Sequence, residues 1–528
     1  MRNTRAAAVI GALSLFTAAC GGSTDTGSER TADGGTFTFA IGADPGALDP
    51  AMAVLSVTNN VLSFAYDTLV NYGPDGKIVS GLAEKWDVKP DAVTFTLRKG
   101  VTCSDGSPLT PADVAGSFNH ITDPATKSPL YGVTVPAGMK AEADDAAGTV
   151  TLSTPKPFSF ILENAPQVFV VCGKGMKDRS VLARGTSGSG PYALTEAVPS
   201  DHYTFQVRKD YAWGPGGATT KEAGQPDKIV LKVVPNEQTS ANLLISGDIN
   251  GAVIYGADRA RLEATPGLGK VIISAGNGQF FYHQGEDRPA KDPAVRKALT
   301  QAVNLKELAG IASSGAGRPA TGLVLDPRPC PGDSITGHVP AFDEAAASAA
   351  LDAAGWKAGP DGVRVKDGRK LTLRLLYGTT KGAGVQAAAE YLAAAWKKAG
   401  ADVALNGVID TKLGESLTVT QDWDVVWLPI GVTLPSQLEG FLSGPAAPKG
   451  ANFAHLANDR YQKLVAEAAG KPGEEGCKLW LESESALFED ADLVPVVENT
   501  VLVATKNAKF SLVAGSVSAT TIRMTEAG

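Results

Sequence analysis

The sequence predicts a large α/β protein that folds as more than one domain. Its 528 residues, 43% hydrophobic and 20% charged, are too many for one ordinary core and too apolar for a disordered chain. Segments that alternate between apolar and polar residues are interspersed with segments whose apolar residues recur every three to four positions. Strands and helices mixed along one chain in this way are typical of the α/β class.

The amino terminus has the features of a secretory signal. Arg2 and Arg5 precede an apolar stretch over residues 6–16, and small residues then lead up to Cys20. The apolar stretch is shorter than the roughly 20 residues that a membrane-spanning helix needs. We therefore predict a signal peptide over residues 1–19 that directs the chain out of the cytoplasm.

Cys20 resembles the lipidation site of bacterial lipoproteins. Ala18 and Ala19 stand before it as in a lipobox, whose cysteine sulfur receives diacylglycerol and becomes the first mature residue. The resemblance implies a chain that is anchored by Cys20 to the outer face of the cell membrane, where two or more acyl chains hold stably. Residues 20–35 would form a lipidated, flexible, glycine-rich tether. The alternative is an ordinary cleaved signal with an incidental cysteine.

The folded body is predicted to open with a strand at residues 36–41. A second alternating strand at 93–98 places Val93 and Phe95 on one face. Thr110, followed by Pro111 and Asp113, has the spacing of a capped helix start. Further helices are expected at about 293–312, 343–355, 382–399 and 458–469, and further strands at 229–234, 371–376 and 424–428.

Charge and motifs argue against several functions. The formal net charge of −8 disfavours a nucleic-acid partner, since phosphate binding needs a basic face. No nucleophile elbow, zinc-protease motif or phosphate-binding glycine loop is present in its proper context, so we predict neither an enzyme nor a cofactor. No metal site is predicted, because the histidines lack ligand spacing. They are His120, His202, His283, His338 and His455.

Several segments, in this order, resemble a known transport family. The most specific is the block over residues 80–118, and shorter matches follow at 188–192, 293–299, 353–356 and 452–461. Over about residues 36–528 the chain resembles the extracytoplasmic solute-binding proteins of ABC importers, in the oligopeptide, dipeptide and nickel-binding family known as family 5.

The resemblance implies a two-lobed periplasmic-binding-protein-like fold that closes around a solute as a Venus flytrap does. Residues 36–284 with 500–528 would form the first lobe, with a subdomain at 61–184, and residues 285–499 the second lobe. We expect a monomer that captures a small solute, either a peptide or a peptide-like molecule, and delivers it to a membrane permease. The alternative is a regulatory or scaffolding cell-envelope lipoprotein that keeps the fold without transport.

Four cysteines remain in the body: Cys103, Cys172, Cys330 and Cys477. An even set in an oxidising compartment favours disulfides, and four cysteines allow three pairings. With the lobes that the resemblance implies, we favour Cys103 with Cys172 and Cys330 with Cys477, because each pair then lies within one lobe. Buried free thiols are the alternative.

The resemblance also suggests solute contacts. Peptide-binding relatives commonly place an aspartate after an aromatic-rich strand of the second lobe, but residues 430–437 contain no acid. We therefore do not expect the usual pairing with a peptide's ammonium, and Glu439 could substitute only if the loop is rearranged. His283, near the place of a family asparagine, is interpreted as a cleft hydrogen-bond donor or a packed hinge residue. Tyr282 and Trp427 are candidates for stacking on a solute or for core packing.

Overall fold

The computed structural model describes residues 31–526 apart from 74, 257, 326–327, 380–382, 472 and 514. The expected signal peptide, Cys20 and most of the tether lie outside the described residues. The strands are β1 (Thr36–Ile41), β2 (Val70–Tyr72), β3 (Ile78–Ser80), β4 (Ala83–Lys89), β5 (Ala92–Leu97), β6 (Lys140–Asp144), β7 (Thr149–Ser153), β8 (Tyr192–Val198), β9 (His202–Val207), β10 (Lys228–Val233), β11 (Gly251–Ile254), β12 (Gly269–Tyr282), β13 (Lys357–Ala358), β14 (Arg364–Lys366), β15 (Arg369–Lys370), β16 (Thr372–Gly378), β17 (Asp402–Val408), β18 (Val425–Trp427), β19 (Leu493–Thr505), β20 (Ala508–Lys509), β21 (Leu512–Val513), β22 (Ser516–Val517) and β23 (Arg523–Met524).

The helices alternate with these strands, as expected for the class. They are α1 (Ser56–Ala65), α2 (Pro111–Thr122), α3 (Ile161–Asn164), α4 (Gly173–Lys177), α5 (Glu237–Ser246), α6 (Asp258–Ala264), α7 (Pro293–Gln301), α8 (Leu305–Ala312), α9 (Glu344–Ala353), α10 (Ala383–Lys398), α11 (Asp410–Glu415), α12 (Glu439–Leu442), α13 (Asp459–Ala468) and α14 (Gly473–Glu489). Among the described helices, none has both the length and the apolarity needed to cross a membrane.

A mixed ten-stranded sheet runs through the protein in the order β17-β16-β18-β12-β19-β11-β1-β10-β9-β8. At its centre, β12 and β19 form a long antiparallel ribbon that begins at Gly269 opposite Thr505 and ends at Phe281 opposite Leu493. The register shifts between Ser274 and Gly276 and again between Gly278 and Gln279. Such bulges bend and twist a strand pair, so they divide the ribbon into two halves.

Separate hydrophobic cores lie on the two sides of these bulges. The first lobe packs around β1, β9 and β10, and the second lobe packs around β16 and β18. A third core, built on β5, β7 and α2, forms a subdomain of the first lobe. The structure is therefore the mixed α/β, two-lobed fold that the sequence predicted. The ribbon crosses between lobes at about residues 274–279, a few positions before the expected boundary at 284.

Local signals account for many of the elements. The strand expected at 36–41 is β1, and Thr110 and Asp113 form a reciprocal capping box at the start of α2. The helix expected over 293–312 is instead two helices, because Asn304 caps a new one by accepting a hydrogen bond from the Glu307 backbone N–H. The predictions did not include α14 or β19.

Two disulfide bonds join Cys103 to Cys172 and Cys330 to Cys477. This is the favoured pairing of the three that four cysteines allow. The first bond closes 69 residues of sequence around the subdomain, and the second closes 147 residues of the second lobe. Neither bond ties one lobe to the other.

Candidate functional site

The strands of both lobes direct their carboxyl ends toward the region between the lobes. In the first lobe, β1, β10 and β11 are parallel to one another and run in the same direction as β12, which leads into the second lobe. In the second lobe, β16, β17 and β18 are parallel, and β18 runs antiparallel to β12, back toward the first lobe. Open α/β sheets bind ligands beyond the carboxyl ends of their strands. We name this region the lobe junction.

On the first-lobe side, an exposed aromatic side chain follows β11. Tyr255 is 69% exposed, although its backbone is fixed. The carboxylate of Glu237 accepts hydrogen bonds from the backbone N–H groups of Tyr255 and Gly256, both at 2.8 Å. Val54 and Leu55, which precede α1, are also exposed. Tyr255 was not among the predicted residues, and β11, which precedes it, was not among the predicted strands.

On the second-lobe side, the segment after β18 is bound to the ribbon at its bulge. The backbone N–H of Asn277 donates to the Ile430 carbonyl at 2.8 Å, and Ile430 returns a bond at 3.1 Å. The Asn277 side chain donates to the Gly322 carbonyl at 2.9 Å. The buried Gln437 side chain accepts hydrogen bonds from the N–H groups of Thr433 and Leu434. This loop is therefore positioned by the hinge region itself.

Three contacts connect the subdomain with the second lobe across the lobe junction. Gln437 Nε2 donates to Gln167 Oε1 at 2.7 Å. The Ser159 hydroxyl lies 2.9–3.0 Å from the carbonyls of residues 468, 469 and 471, at the end of α13. The rings of Phe160 and Trp480 have centroids 5.7 Å apart. Residues 159–167 are thus the part of the subdomain that faces the second lobe.

Several polar atoms beside these contacts are shielded from solvent and have no hydrogen-bond partner among the described residues. Most buried polar groups in proteins are bonded, so a group of unbonded ones needs an explanation. On the first-lobe side they belong to Glu163, Asn164 and Gln167, and on the second-lobe side to Gln279, Trp427 and Trp480. They comprise a carboxylate, three amides and two indoles, which together can both donate and accept hydrogen bonds.

A small cavity adjoins this region in the second lobe. Its lining includes Pro435, Trp480 and the buried carboxyl of Glu484. Burial raises the pKa of Glu484, and its Oε2 accepts hydrogen bonds from the Ser334 hydroxyl and the Leu323 backbone N–H. Since Trp480 also contacts Phe160 of the subdomain, the cavity lies on the junction side of the second lobe.

Two of the three predicted solute contacts lie in the second-lobe core. Tyr282 is fully buried, its hydroxyl is 3.1 Å from the Thr300 hydroxyl, and its ring packs against Phe280 and Trp396. Trp427 is buried in the same core, but it ends β18 next to the bulge, and its indole nitrogen is unpartnered. The positions of Tyr282 and Trp427 both agree with the core-packing interpretation. Trp427 lies nearer to the lobe junction than Tyr282 does.

His283 lies at the far end of the second lobe, six residues and about 20 Å of strand beyond Asn277. Its ring centroid is 4.7 Å from those of both Trp423 and His455, and Nδ1 accepts from the Gly285 N–H at 3.0 Å. Burial, assisted by His455 and Arg374, lowers its pKa to about 4. Asn277 lies at the hinge, whereas His283 packs against Trp423 within the second lobe.

Two histidines contact each other in the fold, although their spacing along the chain did not suggest it. His283 and His455 are 172 positions apart in sequence and in ring contact in the fold. Even so, the part of the chain that the structure describes brings together no group of three or more histidine, cysteine, aspartate or glutamate residues that could hold a metal ion.

Comparison with known protein families identifies the family of this chain. The family model described as bacterial extracellular solute-binding proteins, family 5 Middle, matches residues 77–451, which is more than half of the chain. The chain belongs to family 5 of the bacterial extracellular solute-binding proteins. A family 5 protein is an extracytoplasmic solute-binding component of an ABC importer and not an enzyme.

Relatives of this family 5 protein are distant in sequence and close in fold. It is 28% identical over 389 residues to Protein XP55 of Streptomyces lividans, covering 71% of this chain and 68% of the relative. It is 29% identical over 370 residues to the nickel-binding periplasmic protein of Escherichia coli strain K12, covering 65% and 66%. The alignments span about two thirds of these relatives' lengths.

Solved structures cover nearly the whole chain. A substrate-binding protein of Microbacterium hydrocarbonoxydans, in complex with 4-hydroxybenzoate hydrazide, has a TM-score of 0.74 at 26% identity and covers 93% of this chain and 100% of its own. The oligopeptide-binding protein AppA of Bacillus subtilis, in complex with a nonapeptide, has a TM-score of 0.75 at 19% identity, covering 94% and 100%.

Proposed function

We propose that this family 5 protein is a lipid-anchored receptor that captures a peptide or peptide-like solute in the lobe junction and delivers it to the permease of an ABC importer. The observation that carries the proposal is the set of unpartnered carboxylate, amide and indole groups at the junction. Such groups suit a solute that presents both amide donors and amide acceptors.

The relatives support an organic, amide-bearing solute. AppA was crystallised with a nonapeptide, and the Escherichia coli relative MppA, 24% identical over 493 residues, is a murein peptide-binding protein. Other relatives bind glutathione or nickel. The carboxylate, amide and indole groups at this junction suit a peptide better than a bare metal ion. A metal ion prefers carboxylate, imidazole or thiolate ligands, and most of these groups are amides or indoles.

The receptor function is tested on the protein released from its membrane, by native mass spectrometry with an equimolar mixture of di- to pentapeptides. We expect a subset of peptides to be retained unchanged and to raise the unfolding temperature. A ligand at one hundred times its Kd adds about 2.7 kcal/mol to the free energy of unfolding. If no peptide is retained and none stabilises the protein, the scaffolding lipoprotein becomes the better description.

Anchoring through Cys20 has a separate test. We expect the protein extracted from cell membranes to carry the mass of a diacylglyceryl group at its first mature residue. The variant Cys20→Ala should lack that mass and appear in the extracytoplasmic soluble fraction. Equal membrane retention of both proteins would contradict the anchor and leave the receptor proposal intact.

A further inference from the structure

Four fully buried carboxylates among the described residues are well supplied with hydrogen-bond donors. Burying a carboxylate is costly unless nearby donors or cations replace its lost hydration. Asp67, Asp424, Glu484 and Asp492 are each buried, and each accepts two or more hydrogen bonds. Asp67 accepts from Ser189, Tyr211 and Trp213, and Asp424 accepts from Arg374 and Arg288. Glu484 accepts from Ser334 and Leu323, and Asp492 accepts from Arg296, Gln284 and Asn458.

Glu163 differs from these four. It is only half-buried as a residue, but its Oε2 atom is shielded from solvent and receives no hydrogen bond from any described residue. Burial raises the pKa of this carboxyl, and no basic side chain of the described residues offsets that effect. A carboxylate in this state is poised to accept a proton donor from outside the protein.

Glu163 lies in the segment of the subdomain that contacts the second lobe. Ser159 precedes α3, Glu163 lies within α3, and Gln167 ends the short 3-10 turn that follows. Both flanking side chains hydrogen-bond to the second lobe, at the end of α13 and at Gln437. Glu163 is therefore enclosed between two contacts that cross the lobe junction.

Two more unpartnered polar atoms belong to the same short segment. Gln167 Nε2 is an unpartnered donor, and Asn164 Oδ1 is an unpartnered acceptor, both shielded from solvent. An amino-terminal residue of a peptide carries an ammonium group within a few ångströms of a carbonyl and an amide N–H. The carboxylate, the amide donor and the amide acceptor of residues 163–167 match those three groups in hydrogen-bonding character.

We propose that Glu163 binds the amino-terminal ammonium of the peptide solute, so that the acid missing from the loop over residues 430–437 is supplied by the opposite lobe. This inference rests on the proposed receptor function and assigns it a solute class: peptides with a free amino terminus. Glu439, the next acid after that loop, is the competing candidate in the test below, because burial raises the pKa of its carboxyl as well.

The test compares free and amino-terminally acetylated forms of one equimolar mixture of di- to tetrapeptides. Native mass spectrometry identifies the retained peptides, and calorimetry measures the Kd of the tightest one in both forms. We expect acetylation to weaken binding to the wild type by about 30-fold or more, as for loss of one partner of a buried charge pair. Glu163→Gln should weaken binding of the free peptide by a similar factor and leave the acetylated form within about threefold.

Controls separate a charge effect from a folding effect. Glutamine is close to glutamate in shape, and unchanged unfolding temperature of the solute-free variant would show that the fold is intact. Glu142→Gln, on the exposed face of β6 in the same subdomain, removes one acid elsewhere and should leave both affinities unchanged.

The outcomes distinguish the inference from the receptor function. If the wild type binds free peptides and Glu163→Gln binds them equally well, the inference is wrong and the receptor function stands. The same holds if Glu439→Gln, rather than Glu163→Gln, abolishes discrimination against acetylation. If the wild type retains peptides of neither form, both the inference and the peptide receptor are wrong.

Discussion

We expect the packed side chain of His283 to make the stability of this protein depend on pH. Unfolded histidine has a pKa near 6.5, and the folded value for His283 is about 4. Between these values the unfolded chain binds more protons than the folded one, so the free energy of unfolding falls as the pH is lowered from 6.5 toward 4. The lowered pKa of His283 corresponds to a loss of up to about 3 kcal/mol in the free energy of unfolding.

Urea unfolding at pH 7, 6, 5 and 4.5 measures this effect. His283→Asn, whose side-chain oxygen can take over the acceptor role toward Gly285, should lose less stability on acidification than the wild type. His202→Asn is the control, because Glu196 and Asp201 raise the pKa of His202, which opposes the effect of His283. Parallel pH profiles for wild type and His283→Asn would contradict the assignment.

A close backbone approach explains the glycine-rich motif at 188–192. A Cβ atom built on Gly190 would lie 2.4–2.6 Å from backbone atoms of Ala65 and Tyr66, where no flexible side chain can yield. Gly190→Ala should therefore lower the free energy of unfolding by about 2–4 kcal/mol, as overpacking against backbone does.

The matched control for this substitution is Gly310→Ala. Gly310 lies in α8, and a Cβ there meets nothing within 4 Å. Alanine is the better helix former, so this variant should gain about 0.5–1 kcal/mol. Thermal and urea unfolding of the two variants check the pair, and equal effects on stability would show that contact with Ala65 is not the cause.

Among the elements, α14 depends on a covalent connection to a distant loop. Cys477 in this helix is bonded to Cys330, and the closed segment spans 147 positions. On the chain-entropy account, a loop of this length contributes up to about 4–5 kcal/mol by restricting the unfolded chain. Replacing both cysteines by alanine should lower the urea midpoint, with a smaller loss if the unfolded chain keeps residual structure.

The control for that variant is the second bond. Removing Cys103 and Cys172 opens a segment of 69 residues in the subdomain, and the chain-entropy account makes its loss slightly smaller. Peptide affinity should fall in neither variant when it is measured well below the unfolding midpoint, because neither bond crosses the lobe junction. A selective loss of affinity in one variant would show that the bond positions the site.

For the whole molecule, the balance between open and closed forms depends on a few contacts across the lobe junction. Ser159→Ala removes the hydroxyl that approaches three carbonyls at the end of α13. A net hydrogen bond contributes about 1 kcal/mol, so the closed form should lose about fivefold in population and the solute should bind correspondingly more weakly. Small-angle X-ray scattering should show a larger radius of gyration without solute.

Thr154→Ala is the control for Ser159→Ala. Its hydroxyl bonds only within the subdomain, to the carbonyls of Asp91 and Lys156. It should leave the scattering profile and the solute affinity unchanged. If Ser159→Ala behaves as Thr154→Ala does, the contact at α13 does not contribute to closure.

Some features of the fold could be predicted from the sequence, and others could not. The strand at 36–41, the cap at Thr110 and the disulfide pairing followed from local pattern or from motif order, and the structure has all three. The break at Asn304 was missed, because the apolar spacing continues through residues 302–305, whereas α7 ends at Gln301 and Asn304 caps the start of α8.

The candidate site was predicted less well. For His283 and Tyr282 the sequence left solute contact and packing open, and the structure buries both side chains in the second lobe. Tyr255 and Glu163 lie at the lobe junction and carry no distinguishing motif. Tyr255 is distinguished by its exposed side chain, and Glu163 by an oxygen that lacks a hydrogen-bond partner. Neither property can be deduced from the neighbouring residues in sequence.

By itself, the sequence determined the α/β class, the family and the strand and helix starts, because propensities, caps and motif order are local and act along the chain. Only the tertiary structure decided which groups meet at the lobe junction. Gln167 and Gln437 are 270 positions apart, and the bulges at 274–279 decide where the ribbon turns from one lobe to the other. Burial and hydrogen bonding depend on the surrounding protein, so the unpaired carboxylate of Glu163 became visible only in the fold.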